Sequence, residues 1–320
     1  MRRISGLGIA AVVLVATAAT ALADAAKPTS CKDDEPFDQA TFETKVAFLA
    51  SKELDGRAPG STGDAAARKM IAERFECLGL SKAFGASYEQ AFVANTKTTA
   101  NVVGYIAGSD ATVGSEIVLV AAHHDHLGKG YLGANDNASG IVAMLAVAQS
   151  IVQREEKPKR TIVFAAFGAE ETGMHGSYFY EAHAPETLPA DRIVQVINLD
   201  MVGSHASRGY VAALGSFAKV AATPILKKLL PSYPKLDVAM GGKARGSDFE
   251  PFCKKGTPYV FFWTPDRRCY HGRCDTADKL DYPRMVDIAK LATDLTAAIA
   301  DTEVDLVEAK ATRGCFGTRR

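Results

Sequence analysis

The chain has 320 residues, 47% hydrophobic and 23% charged, an ordinary globular composition long enough for one large α/β domain or two small ones. Its 37 basic and 37 acidic residues balance, which argues against a nucleic-acid partner, since phosphate binding needs a basic face.

Arg2 and Arg3 precede the apolar run IAAVVLVATAATALA, which ends on the small residues Ala21-Leu22-Ala23. That order reads as a signal peptide over 1–23, and it predicts an exported protein, periplasmic or secreted. The run is short and rich in Ala and Thr, and no later segment offers about 18 uninterrupted apolar residues. No stable membrane insertion is therefore expected once 1–23 is removed. Export makes the six cysteines disulfide partners rather than free thiols. The pairing expected is Cys269–Cys274, closing the loop CYHGRC.

A polar segment over 24–38 leads into one catalytic-sized domain over 39–301, followed by a tail over 302–320. TFETKVAFLASKEL spaces Phe42, Val46, Leu49 and Leu54 at helical intervals. GRAPGSTG interrupts the chain, and DAAARKMIAERFECLGL forms a second amphipathic helix ended by Gly79. From residue 99 short apolar runs alternate with helices. Strands are predicted at NVVGYIA, EIVLVAA, TIVFAAF, RIVQVINL and PYVFFW, and helices over 137–153, 174–182, 216–229 and 283–300. Continuous apolar strands between helices indicate a sheet buried on both faces. The predicted fold is thus a three-layer α/β/α domain with a mainly parallel, mixed central sheet.

Polar residues gather where the central strands end. EIVLVAA runs into His123 and Asp125, TIVFAAFG into Glu170 and Glu171, RIVQVINL into Asp200, and PYVFFW, after a loop, into His271. Asp136 joins them from the loop ahead of the helix over 137–153. Open α/β sheets build their sites at the carboxyl ends of strands. Two imidazoles and several carboxylates there suit zinc or a related divalent ion, and this many carboxylates suit two ions better than one.

The ordered set AHHDHLG, GANDNASG, GAEETGMHGS, NLDMVG and YHGRCDTADKL resembles the co-catalytic zinc aminopeptidases of metallopeptidase family twenty-eight, across about residues 42–300. The resemblance implies a zinc-exopeptidase-like fold and two zinc ions per chain. Asp136 would bridge the ions, His123 and Asp200 would hold one, and Glu171 and His271 the other. Asp125 would orient His123 through its second ring nitrogen, Glu170 would be the general base acting on a bridging water, and Tyr270 would stabilise the oxyanion. His124 reads as a packing residue or an outer partner of the ligands, and His126 as a hydrogen-bonding loop residue rather than a ligand. The implied activity is removal of N-terminal residues from peptides or small proteins with a free amino terminus. Competing readings are a single-zinc glutaminyl-cyclase-like or carboxypeptidase-like relative, and a non-catalytic binding domain. KARGSDFEPF resembles the family's serine-aspartate segment, although Phe249 stands where many members have His, which weakens a substrate role for Arg245 or Ser247. Asn137-Ala-Ser139 matches a glycosylation sequon but falls inside the metal motif.

Overall fold

The structure is a computed structural model, and it describes residues 37–205, 210–217 and 220–311. The expected signal peptide over 1–23, the polar segment as far as residue 36 and the tail beyond residue 311 lie outside the described residues. No described helix is long and apolar enough to cross a membrane.

Helix α1 (Gln39–Leu49) is capped by the Asp38 carboxylate, which accepts from the Thr41 N–H. Ser61 caps α2 (Thr62–Cys77) in the same way. Strands β1 (Ser81–Lys82), β2 (Glu89–Ala94) and β3 (Lys97–Ile106) precede the first central strand, β4 (Ile117–His123). Helix α3 (Gly140–Val152), β5 (Thr161–Phe167), α4 (His175–Ala182) and β6 (Ile193–Leu199) follow. Then come β7 (Tyr210–Leu214), α5 (Ala222–Leu229), β8 (Asp237–Met240), α6 (Glu250–Lys254), β9 (Tyr259–Trp263), α7 (Tyr282–Asp301) and α8 (Leu306–Ala311).

The strands form one sheet in the order β1-β3-β5-β4-β6-β9-β7-β8, with β2 also paired to β3. The four central strands, β5, β4, β6 and β9, are parallel. Antiparallel pairings to β3 on one side and β7 on the other make the sheet mixed. Along β4, Val118, Val120 and Ala122 pack on one face with α1, α2, α3 and α7. Ile117, Leu119 and Ala121 pack on the other with Tyr180, Phe249 and Phe252 of the α4 and α6 region. Side chains alternate across a strand, so a run apolar at every position fills both layers, as expected of a three-layer fold.

The helix expected over 216–229 shortens to α5. Gly215 turns at φ +83°, a conformation that favours glycine, and the Ser216 hydroxyl donates to the Ala213 carbonyl. The preceding YVAAL forms β7 instead. Its neighbour β8 is only half-buried and carries little of the apolar pattern by which strands are read.

Candidate metal centre

Parallel strands in register end at one level. His123 of β4 lies opposite Phe167 of β5, and Leu199 of β6 opposite Phe262 of β9. The residues just beyond, Glu170, Glu171 and Asp200, therefore converge with His123 at one edge of the sheet. Asp136 reaches the same point from the loop between β4 and α3. Gly133 lets that loop approach: it sits at φ +63°, and a Cβ there would lie 2.2 Å from the Asp136 carbonyl and 2.5 Å from the His126 ring.

The side chains form two groups that share one carboxylate. His123 Nε2 lies 3.3 Å from Asp136 Oδ1 and 3.4 Å from Asp200 Oδ1. On the other side, His271 Nε2 lies 3.4 Å from Asp136 Oδ2 and 2.8 Å from Glu171 Oε2. His126 joins this second group, with Nδ1 2.5 Å from Glu171 Oε1 and 3.9 Å from Asp136 Oδ2. His123, Asp136 and Asp200 can converge on one ion, as can His126, Asp136 and Glu171. Asp136 Oδ2 and Asp200 Oδ1 are buried with no hydrogen-bond donor, a costly state for carboxylate oxygens unless a cation satisfies them. Although burial opposes it, Asp200 and Glu170 raise the His123 pKa well above the usual histidine value. Asp136 and Glu171 push His271 up to about 10. This negative field favours divalent cations, and the nitrogen and oxygen donors suit zinc.

A set of buried partners holds these donors in place. Asp275, which follows the Cys269–Cys274 disulfide, accepts the N–H groups of Asn135 at 2.7 Å and Asp136 at 3.0 Å. Burial raises its pKa to about 6. Ser247 Oγ donates to Asp200 Oδ2 at 2.7 Å and accepts from Asn198. Asp125 meets His123 Nδ1 with its backbone carbonyl, at 3.2 Å, while its carboxylate lies 3.8 Å from that nitrogen. The carboxylate instead accepts the N–H groups of Glu170 and Glu171, so Asp125 ties the ends of β4 and β5 together. Arg57, fully buried, donates to the carbonyls of Leu49, His124, Leu132 and Gly133. His124 points away from the centre to Asp64 of α2, 3.0 Å away.

A cavity of about 260 Å³ opens over the centre. Glu170 lines it without appearing in either donor group. Burial raises the Glu170 pKa well above the carboxylate range, Asp248, Asp200 and Glu171 add to the shift, and His123 opposes it. Tyr270, 55% exposed, also lines the cavity and stacks on His271 at 3.9 Å. Burial and the nearby carboxylates push its phenol up to about 12, so it remains a hydrogen-bond donor at neutral pH.

The sequence profile of peptidase family M28 matches residues 101–296. The chain belongs to peptidase family M28. This M28 chain is 24% identical over 299 residues to leupeptin-inactivating enzyme 1 of Streptomyces exfoliatus, covering 87% of this chain and 64% of that protein. It is 31% identical over 209 residues to aminopeptidase YwaD of Bacillus subtilis, covering 62% of this chain and 44% of that protein. The chain thus spans less than two thirds of the length of these curated relatives. Among solved structures, the zinc aminopeptidase BSAP from Bacillus subtilis superposes with a TM-score of 0.70 at 16% identity, over 85% of this chain and 98% of that one. A glutaminyl cyclase from Porphyromonas gingivalis gives 0.66 at 17% identity, over 81% and 97%. At these identities the superpositions bear on the fold.

The Phe249 departure and the Asn137 sequon have structural explanations. Phe249 is buried and stacks on Tyr259 at 4.0 Å, so that position serves packing in this chain. Asn137 is fully buried, and its amide donates to the Leu199 carbonyl and accepts from the Gly140 and Met201 N–H groups, so its side chain is out of reach of a glycan. Cys77 and Cys253 are also disulfide-bonded. Sequence reasoning missed Asp275 and Arg57. Asp275 stands in YHGRCD immediately after the second cysteine, but no helical or strand spacing marks it. Arg57, in GRAPGSTG, stands within a stretch that reads as a simple chain break.

Proposed function

We propose that this chain is an exported zinc aminopeptidase whose catalytic domain runs over 39–301 and which removes N-terminal residues from peptides with a free amino terminus. The observation that carries the reading is the division of labour at Asp136, whose two oxygens face two separate donor groups. His123 and Asp200 would hold one zinc ion, Glu171 and His271 the other, and Asp136 would bridge them. His126 is placed to fix Glu171 Oε1, leaving Oε2 towards His271. Membership of peptidase family M28 and the aminopeptidase named among its relatives support hydrolysis of peptide bonds.

Bound zinc ions supply Lewis acidity for the scissile carbonyl and lower the pKa of the attacking water. The chain's own residues do the rest. Glu170 accepts a proton from the attacking water and returns it to the leaving amine, serving as base and then acid. Its backbone is held by Asp125, which aims the carboxylate into the cavity. Tyr270, still protonated at neutral pH, donates to the developing oxyanion. The substrate's free amine would sit beside the metal-bound carboxylates, which would restrict cleavage to the first bond.

Metal analysis and a pair of substrates test the proposal. Two zinc ions per chain are expected in metal-replete buffer, with cleavage of leucyl anilide and none of its N-acetyl form. One ion or fewer, or equal cleavage of both substrates, would overturn it; cyclisation of glutaminyl peptides instead would point to the cyclase reading. Asp275→Ala should weaken zinc binding about 10- to 100-fold, the usual cost of losing an outer partner of a ligand, as measured by competition with a chelator. Unchanged affinity would show that the Asp136 loop holds its position without Asp275.

A further inference from the structure

The cavity combines apolar walls with two arginines at its mouth. Met201, Leu214, Ala244, Phe261 and Trp263 form the walls, and Arg245 and Arg267 line the same space although both are exposed. Each arginine stands close in sequence to a residue of the metal centre. Arg245 stands two residues before Ser247, the donor to Asp200. Arg267 stands four residues before His271, in a loop held twice: the Asp266 carboxylate accepts the Arg268 and Cys269 N–H groups, and Cys269 is bonded to Cys274. Asp266 Oδ2 is engaged by the Ser204 hydroxyl. The Arg245 charge is felt by Glu250, whereas the Arg267 guanidinium has no ion pair or hydrogen bond among the described residues.

Charge balance gives this mouth its meaning. Two divalent ions bound there would offset four carboxylates that line the cavity, Asp136, Glu170, Glu171 and Asp200. At the rim Glu250 lies near Arg245 and Asp266 is engaged by Ser204, so the exposed Arg267 is the cation left open to an incoming peptide. The apolar walls suit the side chain of the residue being removed. The rest of the peptide must leave through the exposed rim, past the arginines.

We infer, resting on the aminopeptidase reading above, that Arg267 selects peptides carrying an acidic second residue, directly after the bond to be cut. The test compares Leu-Asp-Gly-amide with Leu-Asn-Gly-amide, which differ in charge and hardly in shape. The zinc-loaded protein should favour the acidic peptide by about five-fold in kcat/KM, the scale of a partly exposed ion pair. The preference should appear mainly in KM and shrink as added salt screens it. In Arg267→Gln the ratio should fall towards one. Calorimetric binding of the two peptides to zinc-loaded Glu170→Gln protein should show the same ordering without turnover. Equal use of the two peptides, a ratio unchanged in Arg267→Gln, or a greater preference for Asp-Leu-Gly-amide would each overturn the inference. Failure to cleave even leucyl anilide would instead defeat the aminopeptidase reading and this inference with it.

Discussion

Glu170→Gln is expected to lower kcat by about 10²- to 10⁴-fold, the usual contribution of a positioned general base, while zinc content stays unchanged. The replacement keeps the shape and loses the carboxylate that can take up and return a proton. Glu170 belongs to neither group of converging donors, so metal binding should survive. Its backbone N–H donates to Asp125, a contact independent of its own side chain, so the β5 loop should keep its position as well. Single-turnover kinetics on leucyl anilide, run beside metal analysis, separates the effects. Full activity would remove Glu170 as the base, and loss of an ion together with activity would make it a ligand instead.

Arg57→Met should cost about 3–5 kcal/mol of folding stability, the scale observed when one member of a buried charged network is removed. The guanidinium is fully buried, and its donors satisfy carbonyls from three stretches of chain: Leu49 at the end of α1, His124 after β4, and Leu132 with Gly133 in the Asp136 loop. Methionine fills part of the volume and leaves those carbonyls without donors, each worth about 1–3 kcal/mol when buried. Burial lowers the Arg57 pKa to about 10, against the opposing influence of Asp125, Asp275, Asp136 and Glu171. It therefore remains charged at neutral pH, a fixed cation among the centre's acids. Urea unfolding in the presence of a chelator measures the loss without the contribution of bound metal. A change below about 1 kcal/mol would show that water or a local shift replaces the arginine.

The contrast between these two residues shows how differently the chain reveals its parts. Glu170 is visible in the sequence because it closes an apolar strand, and a parallel sheet brings the ends of its strands together. The same logic exposes His123, Glu171 and Asp200. Arg57 sits in a glycine- and proline-rich turn, where nothing in the local pattern shows that the side chain is buried. Asp275 is equally silent, because its partners Asn135 and Asp136 lie about 140 residues away in the chain. His126 and His124 share a tetrapeptide with His123, and spacing alone does not say which of them faces the centre.

Apolar periodicity and strand-end polarity determined the three-layer fold, its central strands and the candidate donors, because burial on both faces of a sheet imposes a local pattern on each strand. Only the tertiary structure decided that His126 turns towards Glu171 while His124 turns to Asp64. It also decided that Asp125 reaches His123 through its carbonyl, and that Arg57 and Asp275 pin the loops. Those outcomes depend on hydrogen bonds between segments far apart in sequence, and their geometry exists only once the sheet has brought the segments together.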